Sequence, residues 1–261
     1  MSIALIGSGA IASYVHHELD AAGHPIAAVL VRSGKEHPGN TPAVSSVSNL
    51  PKGVDLLIDC AGHEALRTHG LTALRSGIDV VTVSIGALAD ANLEKQMIKA
   101  ALDGNAVLHL ASGAIGALDA LRAARVGVLH HVTYTGRKPP MGWAGSPAED
   151  TLDLEHLTEA TTHFSGSARE ASLAYPKNAN VAAAVALASV GFDNTIVKLI
   201  ADPNVSANIH EVHASGDFGE LTFRISGNSL PDNPKSSALA AMSVVAGILE
   251  EQKPGRFGRR R

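Results

Sequence analysis

The run Ile3-Ala4-Leu5-Ile6-Gly7-Ser8-Gly9-Ala10-Ile11-Ala12 constrains this chain more than any other segment. Four apolar residues read as a buried strand, and they pass over two glycines directly into the helical spacing of Ile11–Ala22. A strand that turns at once into a helix is the first half of a β-α-β unit, whose next strand lies parallel to the first. Gly7 permits the tight turn, Gly9 lets a ligand approach the backbone, and the small Ala12 lets helix and strand pack closely. Amide N–H groups and the positive end of the helix dipole then face outward, which suits phosphate. Gly7, Gly9, Ala10 and Ile11 are therefore expected to cradle the pyrophosphate of a dinucleotide.

The same rhythm continues. Further apolar runs at Ile26–Val31, Val54–Ile58, Val80–Val83 and Val107–Leu110 alternate with helical patterns near Glu64–Ser76 and Ala91–Asp103. Strands buried on both faces read as unbroken apolar runs, so residues 1–110 are expected to form a doubly wound parallel sheet of the Rossmann type. An acid about 20 residues past the glycine loop would hydrogen-bond the adenosine ribose of NAD, whereas an arginine accommodates the 2′-phosphate of NADP. Here the chain reads Arg32-Ser33-Gly34-Lys35, with no acid before Glu36. Acceptance of NADP, alongside NAD, is expected. Cys60 and Ala61 follow the third strand at the carboxyl edge of the sheet, where small residues let the dinucleotide come close.

After Leu110 the pattern changes. A glycine-rich segment leads to a helix, an alternating run Gly127–Thr135 and a Gly/Pro-rich loop Gly136–Pro147. Two more strands, Ile209–Ala214 and Leu221–Ile225, are joined by the hairpin-like turn Ser215–Gly219. Period-two alternation with polar residues predicts a smaller α+β domain, residues 111–235, whose mixed or antiparallel sheet has one open face. A last helix, about 236–252, opened by Asn233-Pro234, is expected to pack back on the first domain. The tail 253–261 carries five positive charges and no acid, so the rest of the chain stands at −9 beneath a net charge of −4. With aromatics at 3%, this excludes a nucleic-acid surface. One cysteine and no apolar run long enough for a membrane span predict a cytoplasmic protein.

Six motifs extend the reading. They are Ala111-Ser112-Gly113-Ala114-Ile115-Gly116, Gly136-Arg137-Lys138-Pro139-Pro140, Phe164-Ser165-Gly166-Ser167-Ala168-Arg169-Glu170-Ala171, Tyr175-Pro176-Lys177-Asn178-Ala179-Asn180-Val181, Asn208-Ile209-His210-Glu211-Val212 and Asn233-Pro234-Lys235-Ser236-Ser237. In order and spacing they resemble the L-aspartate dehydrogenase family. The resemblance implies NAD(P)-dependent oxidation of L-aspartate to iminoaspartate, which hydrolyses to oxaloacetate and ammonia, reversibly, with the imine able to feed NAD biosynthesis. It also implies His210 as the catalytic residue and Ala114 and Asn180 as cofactor contacts.

Such chemistry needs a group that titrates near neutrality for its proton transfers, a role histidine fills. The two carboxylates of aspartate need fixed donors in so acidic a body. Lys177, one turn ahead of Asn180, is the first choice, Lys235 and Ser165 with Ser167 are weaker ones, and Ser112 and Gly113 are placed to offer backbone amides at the domain junction. His130-His131 with a nearby lysine resembles dihydrodipicolinate reductases, but that family's glycine-rich substrate motif does not follow. His210 and His213, three apart on a strand, point to opposite faces and do not suit a shared metal. A related reductase and a non-catalytic NADP-binding redox sensor remain as alternative readings. An open antiparallel sheet suits a symmetric homodimer.

Overall fold

In the computed structural model, residues 1–32, 37, 40–231 and 233–251 are described. Ser33–Glu36, which hold most of the expected phosphate-recognition loop, and the basic tail lie outside them. The first sheet contains β1 (Ile3–Ile6), β2 (Ile26–Leu30), β3 (Ala43–Val44), β4 (Leu56–Asp59), β5 (Asp79–Thr82) and β6 (Leu108–Leu110), all parallel, in the order β3-β2-β1-β4-β5-β6. The order reverses beside β1. Its connecting helices are α1 (Ala10–Ala21), α2 (His63–Ala65), α3 (Leu71–Arg75) and α4 (Ala91–Gly104). One continuous helix is expected over Glu64–Ser76; a π-helical turn, Leu66–Gly70, instead joins α2 to α3. Asp90 caps α4 by accepting from the amides of Asn92 and Leu93.

The second sheet follows α5 (Leu118–Ala124) and holds β7 (Leu129–Lys138), β8 (Thr161–Ser167), β9 (Ile196–Ala201), β10 (Asn208–Gly216) and β11 (Gly219–Gly227), ordered β11-β10-β7-β9-β8. All pairs are antiparallel except β7 with β9, so the sheet is mixed. The helices α6 (Ala168–Ala174) and α7 (Asn180–Ala188) cover one face; α7 is buried nearly all round, as its alanine- and valine-rich sequence requires. The other face is open. Its strands therefore alternate: Val132, Tyr134, Gly136 and Lys138 of β7 point inward, and Thr133, Thr135 and Arg137 point out.

Three details differ from the sequence reading. The run predicted to end at Thr135 continues as strand to Lys138, because β9 and β10 pair with it along that length. β8 and β9 are strands that the pattern did not single out; the first is a half-exposed edge with little apolar signal, the second is interrupted by Lys198. The last helix, α8 (Ala238–Glu251), starts later than predicted because a short ribbon of β12 (Ser229–Leu230) and β13 (Asn233–Ser237) takes the preceding residues. Its Val244, Val245 and Ile248 pack with Val15 and Leu19 of α1 and with Ile3 and Leu5 of β1. The last helix thus closes over the first sheet.

Candidate active site

The glycine turn comes first. Gly7 has φ +107°, and a side chain there would approach Ala61 Cβ to 3.1 Å, so both backbone conformation and packing call for glycine. Gly9 differs. No atom lies within 4 Å of where its Cβ would be, so packing does not demand its smallness; it leaves an open shelf at the head of α1. No side chain caps α1, and the first-turn amides are left to an anion. The Gly7 amide donates to the Leu30 carbonyl, and Arg32 stands exposed two residues beyond that carbonyl. A shelf of this kind, with free amides and a cation beside it, fits a dinucleotide. Cys60 and Ala61 border the turn; Cys60 is partly buried, and burial, then the Asp59 carboxyl, push its thiol well up and out of reactive range. Asp59 is buried outright. It accepts from the Thr82 hydroxyl at 2.7 Å and the Ala61 amide at 3.0 Å, while burial raises its pKa.

The two halves of the chain meet at a cavity of about 160 Å³. Ile11 and Val83 line it from the first sheet's side, Gly113 and Ala114 from the junction, Lys177, Asn178 and Asn180 from the start of α7, and Lys138 and His210 from the second sheet. Asn180 is held firmly. Its Oδ1 accepts from His63 Nε2 and from the Gly86 amide, both at 2.9 Å, so its side-chain NH₂ is the end left to a ligand. A side chain at Gly86 would sit 2.9 Å from the His63 ring and 3.0 Å from Asn180 Oδ1, which is why the chain carries glycine there.

His210 is 5% exposed, with Nδ1 2.8 Å from the Tyr134 hydroxyl, so Nε2 is the ring nitrogen that faces the cavity. Burial, and secondly the Lys138 charge, lower its pKa to about 4, so the ring is neutral at ordinary pH. Burial also raises the Tyr134 pKa and keeps the phenol protonated. A hydroxyl both donates and accepts, so Tyr134 partners Nδ1 whether or not that nitrogen carries a proton. Nε2 is thereby free to take up or release a proton. Lys138 is 8% exposed, and burial lowers its pKa to about 8.

The cavity gathers Ile11, Gly113, Ala114, Lys177, Asn180 and His210 from the sequence expectations; Gly7 lines a separate pocket along the glycine turn, and Gly9 and Ala10 open α1 just ahead of Ile11. Three expectations require correction. Ser165 pairs with Lys198, which pairs with Thr135, a row on the open face; His210 shares the opposite face with Gly136 and Leu199, so Ser165 cannot reach the cavity. Ser167 caps α6 in a reciprocal pair with Glu170. The Gly113 amide donates to Ser243 Oγ at 3.1 Å and is not free, and Ser112 is exposed outside the cavity lining. Lys235 lies on β13, with its side chain outside the described residues, while Ser236 and Ser237 line the cavity. His210 and His213 do point apart, the second to Glu220 on the open face. Sequence reasoning passed over Tyr134, Lys138 and His63. Extending the period-two pattern of β7 by three residues would have put Lys138 on the same face as Tyr134.

Comparison with known proteins gives a consistent result. Residues 119–251 match the family described as aspartate dehydrogenase, C-terminal, and residues 7–111 match the NAD binding domain of homoserine dehydrogenase. The chain is 55% identical to the L-aspartate dehydrogenase of Ruegeria pomeroyi over 250 residues, covering 94% of this chain and 90% of that one. It is 50% identical to the L-aspartate dehydrogenase of Pseudomonas aeruginosa over 204 residues, 77% of this chain and 76% of the relative. Among solved structures, the aspartate dehydrogenase of Thermotoga maritima superimposes with a TM-score of 0.79 at 25% identity, over 99% of both chains.

Proposed function

This chain belongs to the aspartate dehydrogenase family, and from that premise we propose that it oxidises L-aspartate with NAD(P)⁺ to iminoaspartate, which water converts to oxaloacetate and ammonia. One observation carries the reading: the glycine-turn helix, the Gly113-Ala114 junction, Asn180 and His210 all border one cavity. The nicotinamide, when bound, accepts the hydride that leaves the substrate Cα. The first-turn amides of α1 would hold its phosphates, Arg32 would add a partner for a 2′-phosphate, and Ala114 and the Asn180 NH₂ would contact it at the junction. NADP is accepted alongside NAD.

His210 serves the proton transfers. Nε2 accepts the proton that the substrate nitrogen must lose, passes it to solvent, and, neutral again, takes one from the water that attacks the imine carbon and returns it to the nitrogen that leaves as ammonia. Tyr134 keeps the ring oriented in both states. Lys177, exposed at the rim, draws in a carboxylate, the local device that a chain of net charge −4 needs for an anionic substrate. Residues 1–110 with α8 act as the cofactor unit and 111–235 as the catalytic unit. The single cysteine supports a cytoplasmic setting, and the mixed charges of Arg137, Glu211 and Arg224 on the open sheet face support pairing with a second copy about a two-fold axis.

Reduced nicotinamide should form when L-aspartate and NADP⁺ or NAD⁺ are added at alkaline pH, where more of the substrate amine is neutral. No reduction with aspartate, but turnover of a different amino or hydroxy acid, would refute the substrate assignment.

A further inference from the structure

An enzyme that oxidises aspartate must distinguish it from amino acids with a single carboxylate, and the role assigned to Lys138 below rests on that dehydrogenase reading. An exposed lysine at the rim discriminates weakly, since water screens it. Lys138 is placed differently. It ends the inward row of β7, lines the same cavity as His210, and is almost wholly buried. Its Nζ donates to Asn178 Oδ1 at 2.7 Å and lies 4.7 Å from the centre of the Trp143 ring.

Both of those partners are neutral. Among the described residues no carboxylate pairs with Lys138. Asp202, whose amide donates to the Lys138 carbonyl, directs its own carboxylate to Arg137 at 2.5 Å. The other titratable groups around the ammonium are His210 on β10, His163 on β8, Tyr175 in contact with His163, and Lys177 on the same cavity. None is an acid. A buried cation without a counter-charge is costly, and an ammonium has three N–H donors of which Asn178 takes one. Such a group in a cavity wall is an anion site.

We propose that Lys138 anchors the side-chain carboxylate of the substrate and so selects a four-carbon dicarboxylate. In the ladder, His210 faces Gly136, two residues and thus about 7 Å along β7 from Lys138. That offset suits the carboxylate farther from the reacting carbon. The arrangement has a consequence for catalysis. The Lys138 charge helps keep the His210 ring unprotonated, so a carboxylate that neutralises it makes His210 a better proton acceptor only once a dicarboxylate is seated.

The test compares wild type, K138M and K138R with L-aspartate and L-asparagine as substrates, and measures by calorimetry the binding of succinate, a dicarboxylate without an amine, in the presence of NADP⁺. K138M should lose roughly 10²-fold in kcat/KM for aspartate and change asparagine turnover less than about threefold. Succinate binding should weaken by a similar factor, and K138R should recover part of both losses. Succinate affinity of the wild type should also fall above a pH of about 8, as Lys138 loses its proton, with no such fall in K138M. Equal losses with aspartate and asparagine, or unchanged succinate binding in a K138M protein that melts no lower than wild type, would overturn the proposal. Failure of the wild type to oxidise aspartate would instead refute the dehydrogenase reading, and the succinate measurement still stands by itself.

Discussion

The two sides of the cavity are built from different materials. The dinucleotide side is backbone: a glycine at φ +107°, an open shelf at Gly9, uncapped helix amides, and one exposed arginine. The substrate side is buried side chains whose ionisation is shifted by their setting, His210 to about 4 and Lys138 to about 8. Backbone devices bind any dinucleotide with a pyrophosphate and resist change through conformational strain. Desolvated side chains are costly to keep, and they respond sharply to the charge of what enters. The first side supplies affinity and the second supplies chemistry and selectivity.

Substitutions on the two sides should therefore fail differently. The largest effect is expected for His210→Ala, which should lower turnover roughly 10²-fold or more while leaving NADP affinity nearly unchanged; stopped-flow and cofactor titration would show the split, and matched losses in both would erase the division. Next is stability. The folded Lys138 pKa, about 8, is below its ordinary 10.5, so between these values the unfolded chain binds more protons and stability rises with pH. Below about pH 8 the buried ammonium costs up to about 3 kcal/mol, and K138M should melt higher than wild type at pH 7 and lose this pH dependence. A flat melting profile in the wild type would mean that Lys138 is already neutralised.

Gly7→Ala comes third. A Cβ at that φ and 3.1 Å from Ala61 should weaken NAD and NADP alike, by about tenfold, with kcat hardly altered. Arg32→Ala should weaken NADP alone, by about fivefold, because an exposed ion pair is worth at most about 1 kcal/mol; equal losses for NAD would remove the 2′-phosphate role. Smallest of all, Ser165→Ala should change kcat/KM less than about twofold, since its side chain stands on the open face.

Legibility followed the same division. The parallel sheet could be read because strands covered on both faces leave unbroken apolar runs, and the glycine turn because its residue types are demanded locally. His210 was legible only through the company of its motif, being one of 13 histidines. Lys138 stood in a motif but received no role, because it follows the point where β7 was expected to stop, in a Gly/Pro-rich stretch whose strand character comes from pairing with β9 and β10. Ser165 was misjudged for the converse reason. Its motif is genuine, but which face it takes depends on the register of β8 against β9, which local sequence does not record.

The order of residues thus determined the β-α-β scaffold, the phosphate-facing turn and the family's motifs, because these depend on neighbours in the chain. Only the tertiary structure decided which groups share the cavity. Tyr134, Lys138 and His210 are brought together by cross-strand pairing, and His63 reaches Asn180 across 117 positions of sequence. Burial, which moves the ionisation of His210 and Lys138 away from ordinary values, exists only once the second sheet has closed under α6 and α7.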